Sequence, residues 1–198
     1  MPSYQDKLAH IKEVQVELAG KLLAAMPSLQ DPRFDRALIL ICAHSAEGAM
    51  GLIVNHPMPA VNFASLLDGL GIAAEAAIST EVHYGGPVET ERGFILHRDT
   101  YRPDAGGMRI AGGYWLSATL DVLQNLANGT GPSPALFTLG YAGWGPNQLE
   151  TEIAENAWLT LEGRSEIVFS SPAKAKWAAA LRHAGVDPMA LSGAMGHA

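Results

Sequence analysis

The sequence is short of cysteine, of charge and of clustered basic residues, and each shortage excludes something. A single cysteine, Cys42, in 198 residues has no partner for an internal disulfide, so the chain was not built for an oxidising compartment. Charged residues make up only 17% while 48% are apolar, a balance that excludes a disordered chain, because disorder requires too little apolar surface to offset ordering entropy. The weakly charged surface also suits a homo-oligomer. Thirteen Lys and Arg face twenty Asp and Glu, for a net charge of −7. The basic residues are scattered, Arg33/Arg36 and Lys174/Lys176 being the nearest to pairs. Nucleic acid is a dense line of phosphates that selects a basic stripe, so direct nucleic-acid binding is disfavoured, as is an acidic membrane surface.

Uninterrupted hydrophobic length is lacking too. The longest uncharged stretch, residues 122–149, is broken by Gly129, Gly131, Pro132, Pro134, Gly143 and Pro146 and cannot form one membrane helix. The opening MPSYQDKLAHIKEVQVEL has no basic start, apolar centre and small-residue cleavage site, so it does not read as a secretory leader. The expectation is a cytoplasmic protein in one domain. A chain of this length buries roughly 70% of its unfolded surface and needs neither disulfide nor metal to fold.

What is present reads as intermixed helices and strands. Residues 5–17 are loosely amphipathic, and residues 1–17 form an N-terminal helical extension to a domain over 18–198. Residues 18–26 form an apolar run ended by Pro27, open to helix or strand; residues 31–35 are a turn. The runs ALILICA at 37–43 and AMGLIV at 49–54, joined by Glu47-Gly48, predict an antiparallel hairpin of buried strands. Cys42 within the first reads as a small buried hydrophobe. Apolar spacing predicts a helix over 61–70 closed by Gly71, and another over 117–127 capped by Ser117 with Leu120, Leu123 and Leu126 inward. Further strands are expected at 82–84, 93–97, 135–139 and 157–161, and helices at 146–156 and 172–183. Without strict βαβ alternation, the fold class is α/β of the α+β type, a helix-and-sheet sandwich around a largely antiparallel sheet.

The densest segment is LGYAGWGPNQLE at 139–150, which reads as a strand end, a glycine-rich turn and a helix start. Gly145 is placed as N-cap and Pro146 at the first helical position, where its missing N–H costs nothing. Free amides there could hold an anion. Gln148, Glu152 and Asn156 fall four apart on one helix face, with Leu149 and Ile153 on an inward one. No lysine and Ser/Thr follow the glycines, so this is not a phosphate-binding Walker loop. Of seven histidines, His44, His56, His83 and His97 lie at or near strand ends, without helical i, i+4 spacing or a zinc pattern. No metal or cofactor is expected, and no Gly-x-Ser-x-Gly elbow is present.

Taken together, the segments LAAMP at 23–27, DPRF at 31–34, GAMGLIVN at 48–55, GGPV at 85–88, GFILH at 93–97 and the 139–150 segment, continued by Glu152, Asn156 and Trp158, resemble the YqgE/AlgH family, as does the closing GHA at 196–198. The match runs over about residues 18–198 in the same order. Asn147 stands where many relatives carry glycine. The resemblance implies a bacterial, uncharacterised family with a compact α/β fold on a bent, barrel-like sheet; one branch is labelled a transcriptional regulator of alginate synthesis. It supplies no catalytic residues.

The functional expectation is a non-enzymatic binding or regulatory module acting through a protein or small-molecule partner. Its recognisable segments are rich in Gly, Pro, Trp and Asn, not in an acid, base and nucleophile. The candidate surface is Trp144, Gly145, Asn147, Gln148 and Glu152, joined by Arg33, Asn55 and His97. The alternatives are a hydrolase or transferase acting on an anionic ligand at the 145–148 helix start, with His97 or Glu152 in a pocket, and a transcriptional regulator acting indirectly.

Overall fold

The computed structural model describes residues 17–73, 80–103, 106–169 and 172–192. The expected helix over 5–17, apart from Glu17, and the closing 196–198 segment lie outside the described residues. The ambiguous 18–26 run contains a strand, β1 (Leu22–Ala25), followed by a single 3₁₀ turn at Pro32–Phe34. The predicted hairpin forms from β2 (Leu38–Ser45) and β3 (Gly48–Ile53), antiparallel from Ile39↔Ile53 to Ser45↔Gly48. Helix α1 (Phe63–Gly69) follows, its N-cap Asn62 accepting from the Ser65 N–H at 3.2 Å.

Strands β4 (Val82–Tyr84) and β5 (Val88–Arg98) come next, then a tight hairpin of β6 (Met108–Ile110) and β7 (Tyr114–Ser117) that sequence reading did not anticipate. Its signal was there: Gly112-Gly113 between short apolar runs, both glycines with φ near +80°. The hairpin corrects the next helix. Ser117 is not an N-cap but a buried strand residue, and α2 spans Leu120–Ala127 behind Thr119. The inward face therefore rotates to Val122, Leu123 and Ala127, leaving Leu120 62% exposed.

β8 (Ala135–Trp144) carries the largest correction. The segment after Leu139 is not a turn; the strand runs on through Trp144. Three glycines in six residues imitate a loop, but a glycine inside a strand also marks a sharp bend. Gly140 makes that bend at φ +73°, where an added Cβ would sit 2.5 Å from the Gly86 carbonyl oxygen. Before it, β8 lies between β5 and a parallel β4; after it, β8 pairs with β3 through Ala49↔Trp144 and Gly51↔Ala142. Helix α3 (Gln148–Ala154), β9 (Trp158–Leu161), α4 (Ser165–Phe169), α5 (Lys176–His183) and α6 (Pro188–Ser192) complete the fold.

The strands form one curled, largely antiparallel sheet in the order β6-β7-β5-β8-β3-β2-β1-β9, with β4 on β8 off that path. The curl brings Gly20 before β1 against Ala111 of the β6–β7 turn, with Gly163 packed on Gly20. A side chain at either glycine would overlap backbone. Both sheet faces are covered, which explains the unbroken apolar run of β2. Leu38, Leu40 and Cys42 face the concave side under Trp177 and Leu181 of α5, while Ile39 and Ile41 face Trp144, Leu149 and Trp158. A third cluster packs α1 and α2 on Ile95 and Phe137. The bent, barrel-like single domain implied by the resemblance is what forms.

Candidate functional site

The 144–152 residues make a closed clasp. Glu152 Oε2 accepts the indole N–H groups of Trp144 at 2.9 Å and Trp158 at 2.7 Å, and Oε1 accepts from Gln148 Nε2 at 2.9 Å. Gln148 Oε1 in turn accepts the Gly145 backbone N–H at 3.0 Å. The two indoles meet edge to face with centroids 6.0 Å apart. One carboxylate thus ties the end of β8, α3 and the start of β9 together, burying Trp144 and Trp158. The helix start also differs from expectation. Gly145 is not the N-cap and Pro146 is not the first helical residue; Asn147 takes the cap position at φ +59°, a left-handed conformation that asparagine tolerates. The Asn147 carbonyl accepts from Thr151 Oγ1 at 2.9 Å. As expected, Leu149 is buried and Ile153 packs beside it.

The three outlying candidates are not drawn into that cluster by direct bonds. Asn55 is buried; its Oδ1 accepts from the Leu38 N–H at 2.7 Å and its Nδ2 donates to the Arg36 carbonyl at 2.8 Å. His97 is fully buried, Nε2 against Ser117 Oγ at 3.0 Å and Nδ1 against the Arg98 carbonyl at 2.8 Å. Burial lowers its pKa from the usual imidazole value, against a smaller opposite pull from that carbonyl. Arg33 is exposed and closed on Asp31 through bonds of 2.6–3.1 Å. Arg33 lies over Phe34, which stacks edge-on with Trp158 of the clasp at 5.6 Å.

A groove of about 840 Å³ lies on the concave face, between the β2–β3 hairpin and the ends of β5 and β8. Its floor is Met50, Phe94, Met108, Leu116 and Tyr141, with Trp144 on its border. Trp144 sends its indole to the opposite face, since Ala49 and Trp144 pair in register while Met50 and Gly143 line the groove. The rim is polar. Arg92 lies over the Phe94 ring at 5.1 Å and pairs with Glu89 at 3.0 Å; Glu89 also accepts from the Tyr141 hydroxyl at 3.4 Å. Glu89 itself is held at φ +47° in the bulge where residues 89–92 leave the β5–β8 ladder. Sequence reading missed this groove. Its residues come from six strands, and two of those strands, β6 and β7, were not expected.

Residues 22–189 match the family described as DUF179, AlgH-like. The chain belongs to the AlgH-like family. A UPF0301 protein of Cereibacter sphaeroides is 51% identical over 184 residues, covering 92% of this chain and all of that relative. One from Paracoccus denitrificans is 52% identical, covering 91% and 97%. The solution structure of the AlgH protein from Pseudomonas aeruginosa superposes with a TM-score of 0.76 at 36% identity, covering 94% of this chain and 98% of that one. A Corynebacterium diphtheriae protein at 21% identity shares the fold with a TM-score of 0.70, covering 96% and 97%. Among the described residues of this AlgH-like chain, no helix is long and apolar enough to cross a membrane, and no group of three or more His, Cys, Asp or Glu comes together as a metal site.

Proposed function

We propose that this AlgH-like chain is a non-enzymatic binding or regulatory module of the cytoplasm, and that its partner, a protein or a small molecule, seats in the concave groove. One observation carries the reading. Segments far apart in sequence, 48–55, 85–88, 93–97 and 139–150, supply Met50, Val88, Phe94, Tyr141 and Gly143 to a single recess. Its chemistry suits a partner that loses water on docking: a floor of methionine and aromatic side chains adapts to shape, and a charged rim sets orientation. The clasp behind it reads as scaffold, because its polar atoms are already bonded to each other.

The enzymatic reading at 145–148 has less support. The Gly145 amide is spent on Gln148, α3 has only seven residues, and His97 is buried with both ring nitrogens engaged. A net charge of −7 without a basic stripe favours an indirect route for any transcriptional role. The test is partner capture on immobilised protein, comparing wild type with Met50→Glu and Met108→Glu, both half-buried groove positions, and with Glu155→Ala on the exposed end of α3. The groove variants are expected to lose the partner and Glu155→Ala to keep it. Equal recovery by folded groove variants would remove the groove from consideration.

A further inference from the structure

We propose that a second cleft, between residues 25–36 and α5, binds a ligand with one carboxylate on an apolar body, and that Arg36 anchors the carboxylate. The cleft has a volume of about 680 Å³, with Met26, Leu29, Phe34 and Trp177 among its walls. Arg36 lies in it with φ +49°, a left-handed conformation that β-carbon crowding disfavours for arginine. The neighbours hold it there. Asn55 Nδ2 donates to the Arg36 carbonyl at 2.8 Å, and the Leu38 N–H donates to the other end of the same buried amide at 2.7 Å. A strained backbone kept by its surroundings is a recurrent mark of a binding residue.

The guanidinium has no structural task that requires this strain. Its Cζ lies 5.9 Å from the Trp177 ring centroid, near the outer limit of a cation–π contact. Trp177 is fixed independently, its indole N–H donating to the Ala25 carbonyl at 3.0 Å. Among the described residues Arg36 forms no ion pair and no side-chain hydrogen bond. Arg33 differs: it closes on Asp31 and so neutralises one of the two acids lining the cleft. The other, Asp35, lines the same cleft. One unpaired guanidinium matches the single charge of a carboxylate. A guanidinium binds a carboxylate through two parallel N–H bonds, and the apolar walls would cover the ligand's body.

The test is titration of the full-length protein, followed through the nitrogen-15 resonances of the Trp177 indole and Arg36 Nε. The probes are phenylacetate, phenylacetamide, inorganic phosphate and acetyl-alanyl-phenylalanine. Phenylacetate or the dipeptide is expected to shift both resonances saturably, with at least tenfold weaker binding by the amide and by Arg36→Gln. Tighter binding of the dipeptide assigns the site to the carboxyl ends of peptides; tighter binding of phenylacetate assigns it to small acids. Arg36→Gly separates ligand binding from packing, because glycine accepts φ +49°: it should keep the thermal midpoint and lose the titration. Four outcomes overturn the proposal: no saturable shift, equal binding of the amide, tighter binding of phosphate, or a markedly lower midpoint for Arg36→Gly.

Discussion

Glu152 accepts three N–H bonds from three side chains, two of them indoles that have few other partners at that depth. Glu152→Gln places an NH₂ where one of those donors must be received. A donor left unpaired costs about 1–3 kcal/mol and a bond to a charged acceptor is worth about 1.5–3 kcal/mol, so the expected loss is roughly 2–4 kcal/mol by urea unfolding. A loss under about 0.5 kcal/mol would mean that the clasp is not structural. Cys42 is the opposite case, a residue that does nothing polar. Burial pushes its thiol up to about 12, against a smaller opposite pull from the Leu52 backbone, and its Sγ lies 3.6 Å from the Leu40 carbonyl. Thiolate is the reactive form, so native protein at pH 8 should resist thiol reagents, with labelling appearing in step with global unfolding.

Among elements, β8 shows how glycine serves two purposes that look alike in sequence. Gly140 and Gly129 share φ +73°, but an added Cβ at Gly129 meets nothing within 4 Å, whereas at Gly140 it meets the Gly86 and Val88 carbonyls. Gly129→Ala should cost only the left-handed penalty, about 1–2 kcal/mol. Gly140→Ala adds overpacking, for a total of about 2–5 kcal/mol. Chemical denaturation of the pair measures the difference, and equal costs would contradict the close approach of β8 to Gly86. The same distinction governs the 139–150 segment. Its glycines allow the bend that lets β8 leave β4 and join β3, and that change of neighbour brings Tyr141 and Gly143 beside Met50.

Across the whole molecule, Lys176 links elements 122 residues apart. Its buried ammonium donates to the Val54 carbonyl at 3.0 Å and the Val168 carbonyl at 2.6 Å, joining the end of β3, α4 and the start of α5. Burial lowers its pKa from 10.5 to about 8, with a smaller opposing pull from Glu81. The folded state therefore releases this proton before the unfolded state does. Between about pH 8 and 10.5 the unfolded chain binds more protons, so stability contributed by this site rises with pH. Relative to Lys176→Met, wild type should gain up to about 3 kcal/mol across that window, read from denaturant midpoints at each pH. A flat difference would show that the ammonium is less desolvated than its surroundings imply.

Much of the architecture follows from local rules. The β2–β3 hairpin, α1, the β9 run and the buried Cys42 are written in apolar periodicity and turn chemistry that act within about ten residues, whereas the 18–26 run leaves helix and strand open and becomes β1 by pairing with β2 and β9. Composition and charge set only the expectation that nucleic-acid and membrane partners are disfavoured. Gln148, Glu152 and Asn156 were legible as a row at helical spacing, but not that Glu152 turns inward on Trp144 and Trp158, which depends on how β9 returns beside β1. Only the tertiary structure decided that Asn55 pins Arg36, that His97 is sealed under Ser117, and that the groove has Met50, Met108 and Tyr141 side by side. Met50 and Tyr141 are 91 positions apart, and the curl of one sheet, set by strand order and by glycines where backbones meet, is what brings them together.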